Sequence, residues 1–534
     1  MVLGLLSGAR FDSESYSYGY SWSPEVLKEW TWSEHFAGQA ETLRYSEFVV
    51  SKFDLARDMQ FDTKVIRAQY QEQSRSWILT DHTGKTYTSR WLVTCIGILN
   101  NYTLPDIPGV HDFKGEAIHT ARWPRESDSV SFEGKRVGII GTGATGIQAI
   151  QKIVKTAGSL TIFQRTPNWS APLNNGPIPR NEMEGIRSRY AEIFARCRAT
   201  YSCFLHRSNP ASVFDVSATE REAFWEKLNE TRGFEKWLSN YRDVIFTDRK
   251  ANELYSSFIA DKIRARVKDP ATAEKLIPRC HGFGTKRVPL ESGYFEAYNR
   301  PNVELVDVKA DPIERVTEKG VKTREKEYGL GILICATGFD AVTGAFTAVH
   351  FRGIYGVHLK DKWKDGPRTF LGLWVEDFPN MMMVMGPHQM FGNFPRSIEY
   401  VVEWLDNGGQ QGPFVKWIRK IATEDIRSVM PKKAAEEASV RYGDEVHKTI
   451  VWTGGCKSWY KRNKEGGRVT ALFGGSALLF NRLIWELRPE DFEIEYRSAN
   501  PIRFLGNGFL EYEMDPESDL AWYVEMPEPM RGST

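Results

Sequence analysis

The chain has 534 residues, 41% apolar and 26% charged, with a net charge of +1; this suffices for two to four domains and leaves no field to hold it on nucleic acid or an anionic membrane. Its six cysteines (Cys95, Cys197, Cys203, Cys280, Cys335, Cys456) form no CxxC pair, which argues against a metal site and fits a reducing, cytoplasmic setting. No apolar stretch reaches the ~18 residues of a membrane span, and the short apolar run after Met1 lacks the basic flank of a signal peptide.

Residues 45–100 read as β-rich. Two runs, 62–66 and 76–80, carry β-branched and aromatic residues, and a polar turn at 81–85 leads into a third strand. Residues 91–97 are an apolar run stopped by Gly97, the pattern of a buried parallel strand, so Cys95 reads as inert core, like Cys335. Residues 104–109 form a stiff linker.

The strand at 135–140 opens directly into Gly141-Thr142-Gly143-Ala144-Thr145-Gly146, and Ile147 and Gln148 begin a helix to residue 153. A bare GxGxxG is weak evidence. Between a strand and a helix it describes a dinucleotide cradle: one glycine for the tight turn, one for close approach to a pyrophosphate, one for helix–strand packing. The next strand, 160–163, ends in Gln164-Arg165-Thr166-Pro167. An NAD domain places an acid ~20 residues after the glycines for the ribose hydroxyl. Here Arg165 stands instead, and the spacing favours NADP(H); the alternative is a solvated surface arginine.

Residues 180–275 are charged and helical in pattern, and 329–338 is another apolar strand ending in glycine. The endings at 94–97 and 335–338 match, which predicts an α/β fold of two nested dinucleotide-binding, Rossmann-like domains with a helical insertion. Only one of the two has its glycine loop in this chain. The Met-rich run 381–385 reads as a buried strand. The 17 Trp, 21 Tyr and 30 Phe fill large cores or line pockets for a flat cofactor or bulky substrate; composition leaves both open.

Phe113, Gly115, His119 and Trp123, followed by Pro124, spell FxGxxxHxxxWP. This resembles the fingerprint of Baeyer–Villiger monooxygenases. Cys335-Ala336-Thr337-Gly338 is similar to the ATG signature of the same flavoproteins. The pair Lys286-Arg287, the segment from Cys456 to Trp459 and the segment Gly8-Ala9-Arg10-Phe11-Asp12-Ser13-Glu14-Ser15 also look like family motifs, so the resemblance runs from Gly8 to about Arg482.

The resemblance implies an enzyme that uses FAD, NADPH and O2 to convert a small-molecule ketone into an ester or lactone. It divides the chain into an FAD domain (1–108 and 339–534), an NADP domain (109–175 and 281–338) and an insertion (176–280). It implies that Arg287 is catalytic, with Asp12 fixing its direction. The chemistry agrees, because a guanidinium stays charged and can stabilise an oxygen-derived anion; the plainer alternative is a surface ion pair. By the same resemblance Arg165, Thr166 and Lys286 clamp the 2′-phosphate. Arg10, Phe11, Tyr18 and Val65 contact the cofactors, Trp459 touches the nicotinamide side, and residues 386–393 lie beside the flavin. His119 reads as a holder of loop backbone rather than a proton relay.

Family members open with a βαβ unit carrying a second GxGxxG, and the residues before Gly8 cannot hold one. The expectation is a poorly gripped flavin diphosphate, an unpaired strand edge and an exposed apolar face. An internal methionine taken as the start explains this, and a shortened, inactive NADP-binding paralogue is the competing explanation. Oxidation of sulfur or nitrogen by a related monooxygenase is the alternative chemistry. Substrate identity and oligomeric state are not legible.

Overall fold

The glycine loop lies at the carboxyl end of a parallel sheet in the computed structural model, which describes residues 9–124, 130–389, 392–402, 413–448, 468–485 and 487–497. The sheet has five strands in the order Val303–Asp307, Ser159–Gln164, Arg136–Ile140, Ile332–Cys335 and Glu116–His119, all parallel. Ile139 pairs with Ile162 on one side, and Cys335 with Ile140 on the other. Val137, Ile139, Leu160, Ile162 and Ile334 are fully buried. Continuous apolar strands of this kind suit a sheet covered on both faces. Each such side chain contributes about 1.5–3 kcal/mol by leaving water.

The strands come from two separated stretches of sequence. Between the adjacent strands Ser159–Gln164 and Val303–Asp307 the chain makes one long crossover that contains the helical insertion. Three of its helices are started by side chains. Ser217 and Glu220 form a capping box at Ala218–Glu230. Asp248 caps Arg249–Arg266, and Asp269 caps Pro270–Leu276 with Pro270 at the first turn.

A second sheet runs in the order His350–Arg352, Val65–Gln71, Ser76–Asp81, Thr86–Ser89, with the first pair parallel and the others antiparallel. Ala68, Tyr70 and Trp77 face a core with Phe351, Trp363 and Phe378. The turn expected at 81–85 forms because Asp81 Oδ1 accepts from the Thr83 and Lys85 amides, at 2.8 and 3.1 Å. The first strand starts at Val65, later than the sequence pattern suggests: Asp62 adopts a φ of 52°, which ends extended pairing there.

Leu92–Thr94 pairs in parallel with Met381–Met383, joining an early strand to a late one as nested domains require. The methionine strand is buried, as read. Leu92–Thr94 is not: among the described residues its other edge has no partner strand, Val93 is 41% exposed, and Cys95 is exposed. The expectation that Cys95 is a core residue is therefore corrected, because an apolar strand paired on one edge leaves part of itself in solvent. Cys335, paired on both sides, is buried. None of the described helices is long and apolar enough to cross a membrane.

Candidate active site

The strand Arg136–Ile140 stops because Gly141 turns the chain with a φ of 107°. A Cβ at Gly141 would lie 2.6 Å from the Ala336 carbonyl oxygen. The helix Ala144–Ile153 then starts at Gly143, above which a Cβ would meet nothing within 4 Å. At Gly146 a Cβ would sit 2.3 Å from the Gly141 carbonyl oxygen, so only hydrogen lets the first turn pack on the loop. Turn, open approach and tight packing fall on the three glycines in the order the sequence predicts. The open space lies over the amide end of a helix, where the backbone favours a phosphate.

Polar side chains brace this cradle. Thr142 Oγ1 lies within hydrogen-bonding reach of Gln164 Oε1 (3.2 Å) and the Thr166 carbonyl (3.3 Å). Thr120 Oγ1 donates to Thr145 Oγ1 at 3.2 Å. Gln148 reaches the Arg10 carbonyl, linking the helix to the N-terminal loop. Ile147 contributes by packing: its side chain is fully buried and its amide donates to the Gly143 carbonyl at 2.9 Å.

Arg165 is exposed just past the strand Ser159–Gln164, and Thr166 follows it. The segment after this strand lies against the Lys286–Arg287 segment through Asn168, whose Nδ2 donates to the Arg287 carbonyl at 3.1 Å. Asn168 also meets His281 Nε2 at 3.3 Å, and Trp169 Nε1 donates to the His281 carbonyl at 2.8 Å. These bonds hold the segment that follows Arg165 and Thr166 against the segment of Lys286. Asn168 had no signal in the sequence, because its role depends on a partner over a hundred residues away.

Asp12 and Arg287 meet across 275 positions. Arg287 Nη2 donates to Asp12 Oδ1 at 2.7 Å, and Asp12 Oδ2 accepts from the Leu290 amide at 3.3 Å. Asp12 is buried; burial pushes its carboxyl up, against the pull of the Arg287 charge and the Leu290 amide. Arg287 Nη1 is buried with no hydrogen-bond partner among the described residues. One side of the guanidinium is thus fixed by a carboxylate, and the other presents a desolvated donor. A partner is needed there, since an unfilled buried donor costs about 1–3 kcal/mol.

Near this pair, the Phe11 and Tyr18 rings pack at a tilt with centroids 4.2 Å apart, and burial pushes the Tyr18 phenol up to about 12. Arg10 donates to Glu34 at 2.6 Å and to the Phe36 carbonyl at 3.0 Å, so its charge is already answered within the protein. Val65 opens its strand opposite Asp81, half-buried. Trp459, Met390 and Phe391 lie outside the described residues.

His119 is buried at the junction of the parallel sheet and its linkers. The Ala121 amide donates to its Nδ1 at 3.0 Å, its Nε2 faces Thr337 Oγ1 at 3.4 Å, and its ring packs on Tyr102 at 4.6 Å. Burial pulls its ionisation below the ordinary histidine value, and its ring accepts from loop backbone. Among the described residues no group of three or more His, Cys, Asp and Glu side chains could hold a metal ion.

A family model described as flavin-binding monooxygenase-like matches residues 30–183. The chain is 40% identical over 477 residues, 85% of its length and 87% of the relative's, to a 2-oxo-Delta(3)-4,5,5-trimethylcyclopentenylacetyl-CoA monooxygenase of Pseudomonas putida. It is 39% identical over 431 residues, 80% of this chain and 77% of the relative, to a cyclohexanone 1,2-monooxygenase of an Acinetobacter species. Among solved structures it resembles OTEMO in complex with FAD and NADP, with a TM-score of 0.86, 36% identity and 92% of each chain covered.

Proposed function

The chain belongs to the Baeyer–Villiger monooxygenases within the flavin-binding monooxygenase-like proteins, and we propose that it uses NADPH, FAD and O2 to insert one oxygen beside the carbonyl of a small-molecule ketone, giving an ester or lactone. The observation that carries this reading is the guanidinium of Arg287, fixed on one side by Asp12 and holding a buried, unfilled donor on the other.

The residues present fit the two cofactors. Thr142, Gly143, Ala144, Thr145 and Gly146 form the pyrophosphate cradle, with Ile147 and Gln148 continuing the helix behind it, and Arg165, Thr166 and Lys286 take the 2′-phosphate. Phe11, Tyr18, Val65 and residues 386–393 serve the flavin, Arg10 holds the loop below it through Glu34, and Trp459 serves the nicotinamide side. When bound, these groups supply a hydride and an oxygen-activating ring.

Arg287 donates from Nη1 to the negative oxygen that forms as a nucleophilic oxygen adds to the ketone. A pre-aimed donor in a dry site is worth roughly 10²–10³ in rate. Asp12 keeps the guanidinium from swinging toward solvent and balances its charge. Tyr18 stays protonated, and with Phe11 it walls water from this side. His119 holds the linkers between the two nucleotide domains. The setting is the cytoplasm, where unpaired cysteines stay reduced.

The test is product analysis with NADPH, FAD and two probes, a cyclic ketone and a thioether. Lactone from the ketone is the expected result. Sulfoxide as the sole product assigns the chain to heteroatom oxidation and overturns the reading.

A further inference from the structure

We propose that a second buried pair, Glu14 hydrogen-bonded to His206, is a positioning device for Arg287: it ties the loop carrying Asp12 to the helical insertion, so that the insertion governs how firmly Arg287 is aimed. This rests on the reading of Arg287 as the catalytic cation.

Glu14 stands two residues after Asp12 on the same loop, and both are buried, at 5% and 6% exposure. His206 Nε2 meets Glu14 Oε1 at 2.6 Å, and His206 is itself only 10% exposed. Burial works to raise the Glu14 carboxyl, yet the charge and hydrogen bond of His206 hold it below its ordinary value. The other oxygen, Oε2, is buried with no hydrogen-bond partner among the described residues. The carboxylate therefore leans on His206, and taking one partner away leaves a buried group unanswered.

The loop's other polar ties go elsewhere. The Ser15 amide donates to the His35 carbonyl at 2.7 Å, and its hydroxyl donates to the Glu34 carbonyl at 2.8 Å. Asn393 Nδ2 donates to Ser17 Oγ at 3.0 Å. Asp12 binds Arg287 and the Leu290 amide, both beyond the insertion in sequence. Among the described residues, Glu14–His206 is the side-chain hydrogen bond that joins Glu14 to the insertion.

The insertion also crowds the loop at Asp12. Gly233 has a φ of 57°, and a Cβ there would lie 2.5 Å from the Phe36 ring and 3.3 Å from the Asp12 carbonyl oxygen. The loop thus meets the insertion at two points two residues apart, one by close packing and one by a hydrogen bond. The charged neighbours are Arg232, which meets His35 Nε2 at 2.9 Å, and Glu182, which lies 3.3 Å from the same atom. Both belong to the insertion and answer His35 rather than Glu14 Oε2. A residue acting at this remove works through geometry, where small displacements change rate strongly.

The experiment reads Arg287 itself, independently of turnover. The full chain is treated with phenylglyoxal, and the adduct on the Arg287 peptide is timed by mass spectrometry. Native protein is compared with Glu14→Gln, His206→Gln and the double variant, with Asp12→Asn as the control that frees the guanidinium. Exposed Arg189 serves as the internal reference. Each single variant is expected to speed modification of Arg287 about tenfold and leave Arg189 unchanged, while the double variant, whose two amides can bond each other, returns to within about twofold of native. Lactone formation in the single variants falls by a similar factor with the NADPH KM unchanged.

Folded single variants with native Arg287 reactivity overturn the proposal. Glu14→Gln is the near-isosteric arm if His206→Gln fails to fold. If reactivity rises in the single variants and in Asp12→Asn while lactone formation is untouched, the positioning claim stands and the catalytic reading of Arg287 falls.

Discussion

Replacing Gly143 or Gly146 with alanine separates binding from folding within one loop. At Gly146 a Cβ would lie 2.3 Å from the Gly141 carbonyl oxygen and 3.5 Å from the Ala336 Cβ, so the helix Ala144–Ile153 must back away from the sheet. Overpacking of this kind costs about 1–3 kcal/mol, and the rigid backbone on both sides puts the cost at the upper end. At Gly143 the φ of −80° suits any residue, and a Cβ meets nothing within 4 Å. Loss of glycine at the N-cap costs about 0.5–1 kcal/mol, and the stiffer unfolded chain returns about 0.4–1 kcal/mol, so the nucleotide-free protein is nearly unchanged. The new methyl instead occupies the space through which the pyrophosphate approaches. Thermal melting without nucleotide and calorimetric titration with NADP⁺ read the two effects. Gly146→Ala lowers the melting temperature clearly. Gly143→Ala leaves it near native and weakens NADP⁺ by about tenfold or more, equivalent to about 1.4 kcal/mol. Native affinity in Gly143→Ala, or equal losses of stability in both variants, refutes the assignment of roles.

Arg165→Glu places an acid where the 2′-phosphate is read to sit; NADP⁺ affinity falls by about tenfold or more while NAD⁺ affinity holds or rises, and equal losses for both nucleotides make Arg165 a surface residue. Two buried histidines predict acid lability. Burial, with the nearby Lys286 charge, pulls His281 from its ordinary 6.5 down to about 3, and burial pulls His447 down to about 4. Both folded values lie below the unfolded one, so the unfolded chain takes up protons first as pH falls. The stability they confer is present above pH 6.5 and is lost from there down to about 4 for His447 and about 3 for His281. Each group removes about 1.4 kcal/mol per pH unit in that window. Denaturant unfolding of His447→Gln at pH 7 and pH 5 shows a smaller loss between the two than native protein does; identical losses refute the assignment.

What the sequence made legible was local. The strand, turn and helix around Gly141, Gly143 and Gly146 follow from spacing alone, because each glycine answers a contact within its own βα unit or the neighbouring strand. The absence of an acid after the strand Ser159–Gln164 could be seen the same way. The Asp12–Arg287 pair became visible only through resemblance, since nothing in composition links residues 275 positions apart. Asn168 and His206 went unseen for the same reason: each matters through partners far along the chain. The strand at 92–94 was misjudged in burial because apolar character reports what a strand can face, while its exposure depends on which edges are paired. The start of the strand at Val65 was missed because the positive φ of Asp62 leaves no mark in a list of β-forming residues.

In the proposed reaction Arg287 is the donor that steadies negative charge on the reacting oxygen. Arg287→Ala, assayed with NADPH, FAD and a cyclic ketone, should lose lactone formation by roughly 10²-fold or more while NADP⁺ still binds at the glycine loop. Lactone formed at the native rate by that variant would contradict it.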